Sequence, residues 1–221
     1  MKPTFLPLDF HWVAPRTSER RSHRLLKTML QRRTIRSFSD RPVQRSVIKN
    51  CLSIAGSAPS GANMQPWKFV VISRTALRAK IKEAAEKEER AFYKNRASAE
   101  WLQALSPLGT DWHKPFLVEA PYLIVIFAEN FGVRADGEHV KHYYVQESVG
   151  IATGFLIAAL HQAGLATLTH TPSPMGFLNK ILGRPNNERP FLLLVVGYPA
   201  VGTAVPSFAV ERKPFKDIVI W

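Results

Sequence analysis

The sequence predicts an α/β or α+β sheet protein, and three observations carry that prediction. Four short runs rich in β-branched, aromatic and leucine residues read as buried strands. The long intervals between them are of helical length, which gives the helix and strand alternation of a layered sheet fold. A chain of 221 residues with 46% hydrophobic content can bury its core without metal or disulfide staples. The single cysteine, Cys51, excludes an intrachain disulfide. Such cysteine usage fits a reducing compartment, so a cytoplasmic address is expected.

The elements follow in order. The start, "MKPTFLPLDFHWVAPR", has prolines and an Asp-Phe-His-Trp cluster where a signal peptide needs an unbroken apolar run. "SERRSHRLLKTMLQRR" predicts a helix capped by Ser18, with Leu25, Leu26, Met29 and Leu30 on one side and a stop near Arg32. "DRPVQRSVIKNCLSIAGSA" predicts a second helix with Val43, Val47, Ile48, Cys51, Leu52 and Ile54 as its buried stripe. "PSGANMQP" breaks it. "WKFVVIS" (67–73), "PYLIVIFAE" (121–129) and "PFLLLVVGYP" (190–199) are candidate central strands, and the alternating "LATLTHT" (165–171) is a fourth. Helices are expected within 75–104 and 140–163. The second, ending "FLIAALHQAG", is apolar nearly all round and must be enclosed by its own core or by a partner subunit. The longest apolar stretches fall short of the ~20 residues of a membrane helix, so no membrane partner is expected.

The formal charge is +13, and residues 16–50 hold eleven Arg or Lys against Glu19 and Asp40, leaving +9 in that block. Such a block suits nucleic acid, phosphate or an acidic surface, or is simply solvated. Zinc spacing, the aromatic and glycine pattern of an RNA-binding sheet and a heptad-linked basic helix are all missing, so nucleic acid is not an expected partner. A non-catalytic basic module remains the rival from another class. His142 stands alone, so no metal site is expected.

Three segments bear chemistry. In "QRRTIRSFSD", arginines and a threonine at a helix-to-loop boundary offer guanidinium forks and a hydroxyl to a phosphate, against the plain alternative of a basic turn. In "SAPSGANMQPWKFVVIS", a small glycine-containing loop runs into a buried strand and lets backbone amides approach a flat ligand, or is only a tight loop. In "EKEERAFYKNR", Glu89 and Tyr93 are four apart and share a helix face. Glu83 is expected to pair with Lys87 and Glu86 with Arg90, which leaves the charge of Glu89 free; a wholly solvated face is the alternative.

Together with "TDWHK", "KHYYVQESVGIATGFLIAALHQAGL", "TLTHTP", "ILGRPNNERPFLLLVVGYP" and "ERKPF", these segments resemble the FMN-dependent nitroreductase superfamily. Within it they are similar to the iodotyrosine deiodinase branch, over nearly all of residues 30–220. The resemblance implies an α+β, nitroreductase-like fold with a central mixed β-sheet flanked by helices. It also implies an intertwined homodimer with each FMN in the subunit interface. Residues 1–25 are then an N-terminal extension and 26–221 one FMN-binding domain, with a C-terminal arm, 206–221, reaching the partner.

The site residues come from the same resemblance. Arg32, Arg33 and Thr34 would hold the FMN phosphate and ribityl region, and Arg212 would reach the phosphate from the arm. Arg36 would approach the pyrimidine end, where a cation stabilises charge on the reduced ring. Pro59, Ser60 and Gly61 would line the flavin, and the Ala62 N–H would donate to the substrate phenolate. Thr169 and His170 would touch the flavin, and Thr171 would place its hydroxyl near N5, favouring electrons delivered one at a time. Without the resemblance, Thr171 reads as a strand-end hydroxyl capping backbone before Pro172. Glu89 would accept from an α-ammonium, while Lys114 and the Tyr93 hydroxyl bind an α-carboxylate under a closing lid. The implied reaction is reductive dehalogenation of iodo-, bromo- or chlorotyrosine, with NAD(P)H as direct or indirect electron source and room for an unidentified flavin-reducing partner. The alternative is a general nitroaromatic or quinone reductase. Trp67, Trp101 and Trp112 are expected in core or lid packing, and Tyr143 and Tyr144 at an interface.

Overall fold

Side chains on both faces of one strand, residues 123–128, are excluded from water, and the rest of the fold is arranged around that strand. The structure, a computed structural model, describes residues 3–221. The chain divides into two units, Met1–Arg32 and Arg33–Trp221, whereas the sequence places its boundary at 25/26. The first unit contains α1 (Pro15–Leu30). The second contains the helices α2 (Arg45–Gly56), α3 (Thr75–Ala91), α4 (Ala99–Leu105), α5 (Phe116–Glu119), α6 (Val145–Gln162) and α7 (Phe177–Leu182). Its strands are β1 (Trp67–Ile72), β2 (Tyr122–Glu129), β3 (Phe131–Val133), β4 (His139–Lys141), β5 (Ala166–His170) and β6 (Glu188–Gly197).

The sheet has the order β1-β2-β6-β5, with antiparallel ladders throughout. Its parallel component is a bridge from Thr34 to Thr167. Side chains alternate along each strand, so the two faces of β2 and β6 feed two cores. Leu123, Val125 and Phe127 pack with Leu193, Val195, Ile81 of α3, Leu117 of α5 and Leu178 of α7. Ile124 and Ile126 pack with Leu194, Val196, Ile48 and Cys51 of α2, and Val149, Leu156 and Leu160 of α6. Cover on both faces explains why these strands read as unbroken apolar runs.

All four expected strands form, within two residues of the expected limits. Several helix details differ. α1 starts at Pro15, not Ser18: Ala14 is its N-cap and a proline in the first turn loses no intrahelical bond. α2 buries Ile48, Cys51 and Ala55, while Ile54 is 48% exposed because it falls off that face. The interval 75–104 is broken by a π-helical turn, Phe92–Arg96, before α4, which Ser98 caps by accepting from the Trp101 N–H at 3.2 Å. The short β3–β4 hairpin is unforeseen, although "ADG" with Gly137 at φ 86° is a turn signal. No helix among the described residues is long and apolar enough to cross a membrane.

Arg78 of α3 is buried and its guanidinium donates to the carbonyls of Val118, at 2.6 Å, and Ala120. That staple fixes α3 against the end of α5, and with it the chain just beyond Lys114. Leu156→Ala, which removes a fully buried side chain between α6 and the sheet, should destabilise the protein by about 2–5 kcal/mol. Urea denaturation would measure it as a lower midpoint at unchanged slope.

Candidate active site

At the end of β5 the alternation of the strand exposes Thr169 and Thr171 and buries Leu168 and His170. A cavity of about 450 Å³ opens there, with Thr169, His170 and Thr171 on one side and residues from α3, the π turn, α4 and the loop before α5 on the other. Arg36, Glu89, Tyr93 and Lys114 line it too. Seven sequence-predicted site residues therefore surround one space: Arg36, Glu89, Tyr93, Lys114, Thr169, His170 and Thr171.

Lys114 is 4% exposed, and its Nζ lies 3.2 Å from Glu89 Oε2, itself 14% exposed. The same ammonium donates to Thr110 Oγ1 at 3.3 Å and to the Asp111 carbonyl. The Tyr93 hydroxyl donates to the Thr110 carbonyl at 3.2 Å. The charge of Glu89 is thus not free, as its own helix suggested; the partner comes from another element. The expected pairs Glu83–Lys87 and Glu86–Arg90 do not form among the described residues. Glu86 pairs with Lys82 at 3.2 Å and accepts from the Lys114 N–H at 2.8 Å. Arg90 instead lies over the Trp112 ring at 4.0 Å, and Glu88 takes Arg96 at 3.0 Å. The π turn and the loop at 109–114 fold back on α3, so tertiary partners displace the i,i+4 ones.

Burial and neighbouring charge set the protonation states. Burial, followed by the Glu89 carboxylate, raises the Tyr93 hydroxyl above its usual range, so it remains a donor. Burial lowers Arg36, and no carboxylate pairs with that guanidinium among the described residues, so the cavity holds an uncompensated cation. His170 is held neutral, its pKa lowered from 6.5 to about 3 by burial and then by Lys114 and Arg36. Its Nε2 is buried without a hydrogen-bond partner, and the ring meets Phe116 edge-on at 5.5 Å.

The remaining predicted residues are elsewhere. Thr34 is bridged to Thr167, and Arg33 precedes it, partly buried. Arg32 ends the N-terminal unit. Arg212 donates to the carbonyls of Ala209 and Glu211 at 2.9 and 2.6 Å. Pro59, Ser60, Gly61 and Ala62 form a loop docked on the start of α6, outside the cavity lining. The Gly61 N–H donates to Ser148 Oγ at 3.2 Å, and a Cβ at Gly61 would stand 2.6 Å from the Tyr143 carbonyl oxygen, so only glycine fits. Ala62, Asn63 and Gln65 are held at φ 48°, 55° and 49°, each costing about 1 kcal/mol or more. Ser60 Oγ supports the turn by accepting from the Gln65 N–H at 2.9 Å.

Sequence reasoning missed Phe92, Leu105, Leu108, Thr110, Phe116 and Met175, which also line the cavity. Thr110 opens the "TDWHK" segment, and its closeness to Lys114 was the available signal. The others read as ordinary apolar positions, and nothing local sets them apart.

A nitroreductase family match covers residues 29–198, and the chain belongs to that family. Its more particular likeness is to iodotyrosine deiodinases. The iodotyrosine deiodinase of Haliscomenobacter hydrossis is 57% identical over 219 residues, 99% of this chain and 98% of that protein. Human iodotyrosine deiodinase 1 is 39% identical over 216 residues, 97% of this chain and 74% of that one. The crystal structure of an oxidized iodotyrosine deiodinase bound to FMN and 3-iodo-L-tyrosine matches this fold with a TM-score of 0.73 at 31% identity, covering 89% of this chain and 97% of that one.

Because the folded state keeps His170 neutral down to about pH 3 and the unfolded chain protonates it near 6.5, its contribution to stability is present above 6.5 and is lost as pH falls toward 3. His170→Gln should flatten the stability profile between those values. Denaturant melts at pH 4.5 and 7.5 would show it as a smaller midpoint difference than in the unaltered protein.

Proposed function

We propose that the protein is an FMN-dependent reductive dehalogenase converting 3-halotyrosines to tyrosine and halide. The observation that carries this reading is the meeting of a Glu89–Lys114–Tyr93 cluster with Thr169, His170 and Thr171 across one cavity. A plain reductase of flat aromatics has no use for a buried carboxylate and ammonium side by side.

The residues present fit FMN. Arg36 is a partly desolvated cation without a carboxylate partner, Thr169 and Thr171 present exposed hydroxyls, and His170 has an orphaned buried nitrogen. We assign Arg36 to the pyrimidine end of the flavin, Thr169 and His170 to its face or edge, and Thr171 to N5. Arg32, Arg33, Thr34 and Arg212 are assigned to the phosphate and ribityl chain, and Pro59, Ser60 and Gly61 to the flavin from the α6-docked loop. Bound in its reduced form, FMN supplies two electrons. With one proton they convert the aryl carbon–halogen bond to carbon–hydrogen, and halide leaves with the former bonding pair. A donating hydroxyl from Thr171 favours their delivery one at a time, and the Ala62 N–H stabilises the phenolate oxygen.

The clamp works by exchange. Glu89 and Lys114 neutralise each other in a site where an unpaired charge costs several kcal/mol. A zwitterion keeps that balance: its ammonium takes Glu89 while its carboxylate takes Lys114 and the Tyr93 hydroxyl. Each such charge-assisted contact contributes about 1.5–3 kcal/mol.

The reading includes a homodimer with FMN at the subunit interface. Ile151 and Phe155 on α6, Tyr143 and Tyr144 before it, and Phe215, Ile218, Ile220 and Trp221 in the arm are apolar or aromatic residues at least 40% exposed. The 59–62 loop lies outside the cavity of its own chain, which supports a site completed by a second copy. A cytoplasmic address, NAD(P)H as the direct or indirect reductant and a separate flavin-reducing partner belong to the same proposal.

Dithionite-reduced holoenzyme should release iodide from 3-iodotyrosine; a protein with full flavin content and neither turnover nor halotyrosine binding would overturn the reading. Thr171→Ala should slow deiodination while nitroaromatic reduction persists or rises. If both activities fell alike, the assignment of Thr171 to N5 would lose its basis. Glu89→Gln should weaken 3-iodotyrosine binding about 10- to 100-fold and leave 2-iodophenol nearly unaffected, with equal losses arguing against the clamp.

A further inference from the structure

The cavity has an apolar end that the clamp does not use. The side chains of Phe92, Trp101, Leu105 and Leu108 form it, all from the π turn, α4 and the short turn after it. Its aromatic members are in series. Lys114 Nζ lies 5.7 Å from the Tyr93 ring centroid, Tyr93 meets Phe92 edge-on at 5.5 Å, and Phe92 meets Trp101 edge-on at 5.1 Å. The row thus begins at the amino acid clamp and ends at an indole.

Trp101 is the unusual member. A tryptophan that only packed a helix would be largely covered, yet this one is 55% exposed while lining a cavity. Its backbone is nonetheless held, because Ser98 caps α4 through the Trp101 N–H. A positioned indole with an open face is a stacking surface for an aromatic ligand, and covering it removes apolar area from water as well as adding the aromatic contact. A halogen on that ligand adds a large polarisable atom to the same contact.

We propose that Trp101, backed by Phe92, is the specificity-determining residue by which the lid grips the halogenated ring, independently of the groups that read the ammonium and carboxylate. The inference rests on the halotyrosine reading above. Recognition then divides in two: Glu89, Tyr93 and Lys114 select a free amino acid, and Trp101 selects a flat, polarisable ring. Trp101 meets Tyr93 through Phe92, while Glu89 and Lys114 pair with each other, so its contribution to affinity is largely separate from theirs.

The test measures binding, without turnover, by quenching of flavin fluorescence in the oxidised holoenzyme with 3-iodotyrosine and with 2-iodophenol. Trp101→Ala should weaken both ligands by about tenfold or more and keep the ratio of their dissociation constants. Trp101→Phe, which retains a ring, should stay within about threefold of the unaltered protein for both. The inference is overturned if Trp101→Ala binds both ligands normally. It is also overturned if the variant loses only 3-iodotyrosine, since collapse of the ratio toward one means that the clamp and not the ring contact was lost. Unaltered holoenzyme that binds 3-iodotyrosine separates these outcomes from failure of the functional reading; holoenzyme that binds neither ligand would overturn both.

Discussion

Burying the ammonium of Lys114 is the constraint around which the site is built. An unpaired charge at 4% exposure is too costly to keep, so the chain must bring it acceptors. Glu89 arrives from α3, while Thr110 and the Asp111 carbonyl arrive from the loop just before Lys114. Satisfying one amine therefore ties a helix to a distant loop, and the π turn between α3 and α4 brings Phe92 and Tyr93 to the same place. Arg78 does comparable work on the other side of Lys114, where its guanidinium caps carbonyls at the end of α5.

Electrostatics in the cavity follow from that arrangement. Glu89 offsets Lys114, but Arg36 has no such partner, so the cavity carries a net positive charge suited to an anionic group. His170 can be buried between two cations only as a neutral ring. Tyr93, beside a carboxylate and away from water, keeps its proton and remains a donor. A site of this character suits a zwitterion at the Glu89–Lys114 pair and an anionic or electron-rich group beside Arg36.

The loop at 59–65 is the strained part of the structure. Non-glycine residues at positive φ persist there because Gly61 is wedged against the Tyr143 carbonyl and hydrogen-bonded to Ser148. Its anchor is α6, a helix that buries one side in its own core and leaves Ile151 and Phe155 uncovered on the other. The strained loop and an apolar helix face thus meet at one place.

Much was determined by the sequence alone. Strands β2 and β6 were legible because residues excluded from water on both faces leave a nearly unbroken apolar record, and the partly exposed β1 and β5 were legible from β-branched composition and alternation. The nitroreductase family was legible too, in the order and spacing of segments around Arg36, Gly61, Glu89, Lys114 and Thr171. Only the tertiary structure decided the partners. Helical spacing assigned Glu86 to Arg90 and left Glu89 unpaired, because an i,i+4 rule sees one helix and neglects a lysine folded back from the following loop. The start of α1 at Pro15, the π turn after Ala91 and the exposed indole of Trp101 have the same origin: local pattern ranks the options, and long-range packing, which removes particular groups from water, chooses among them.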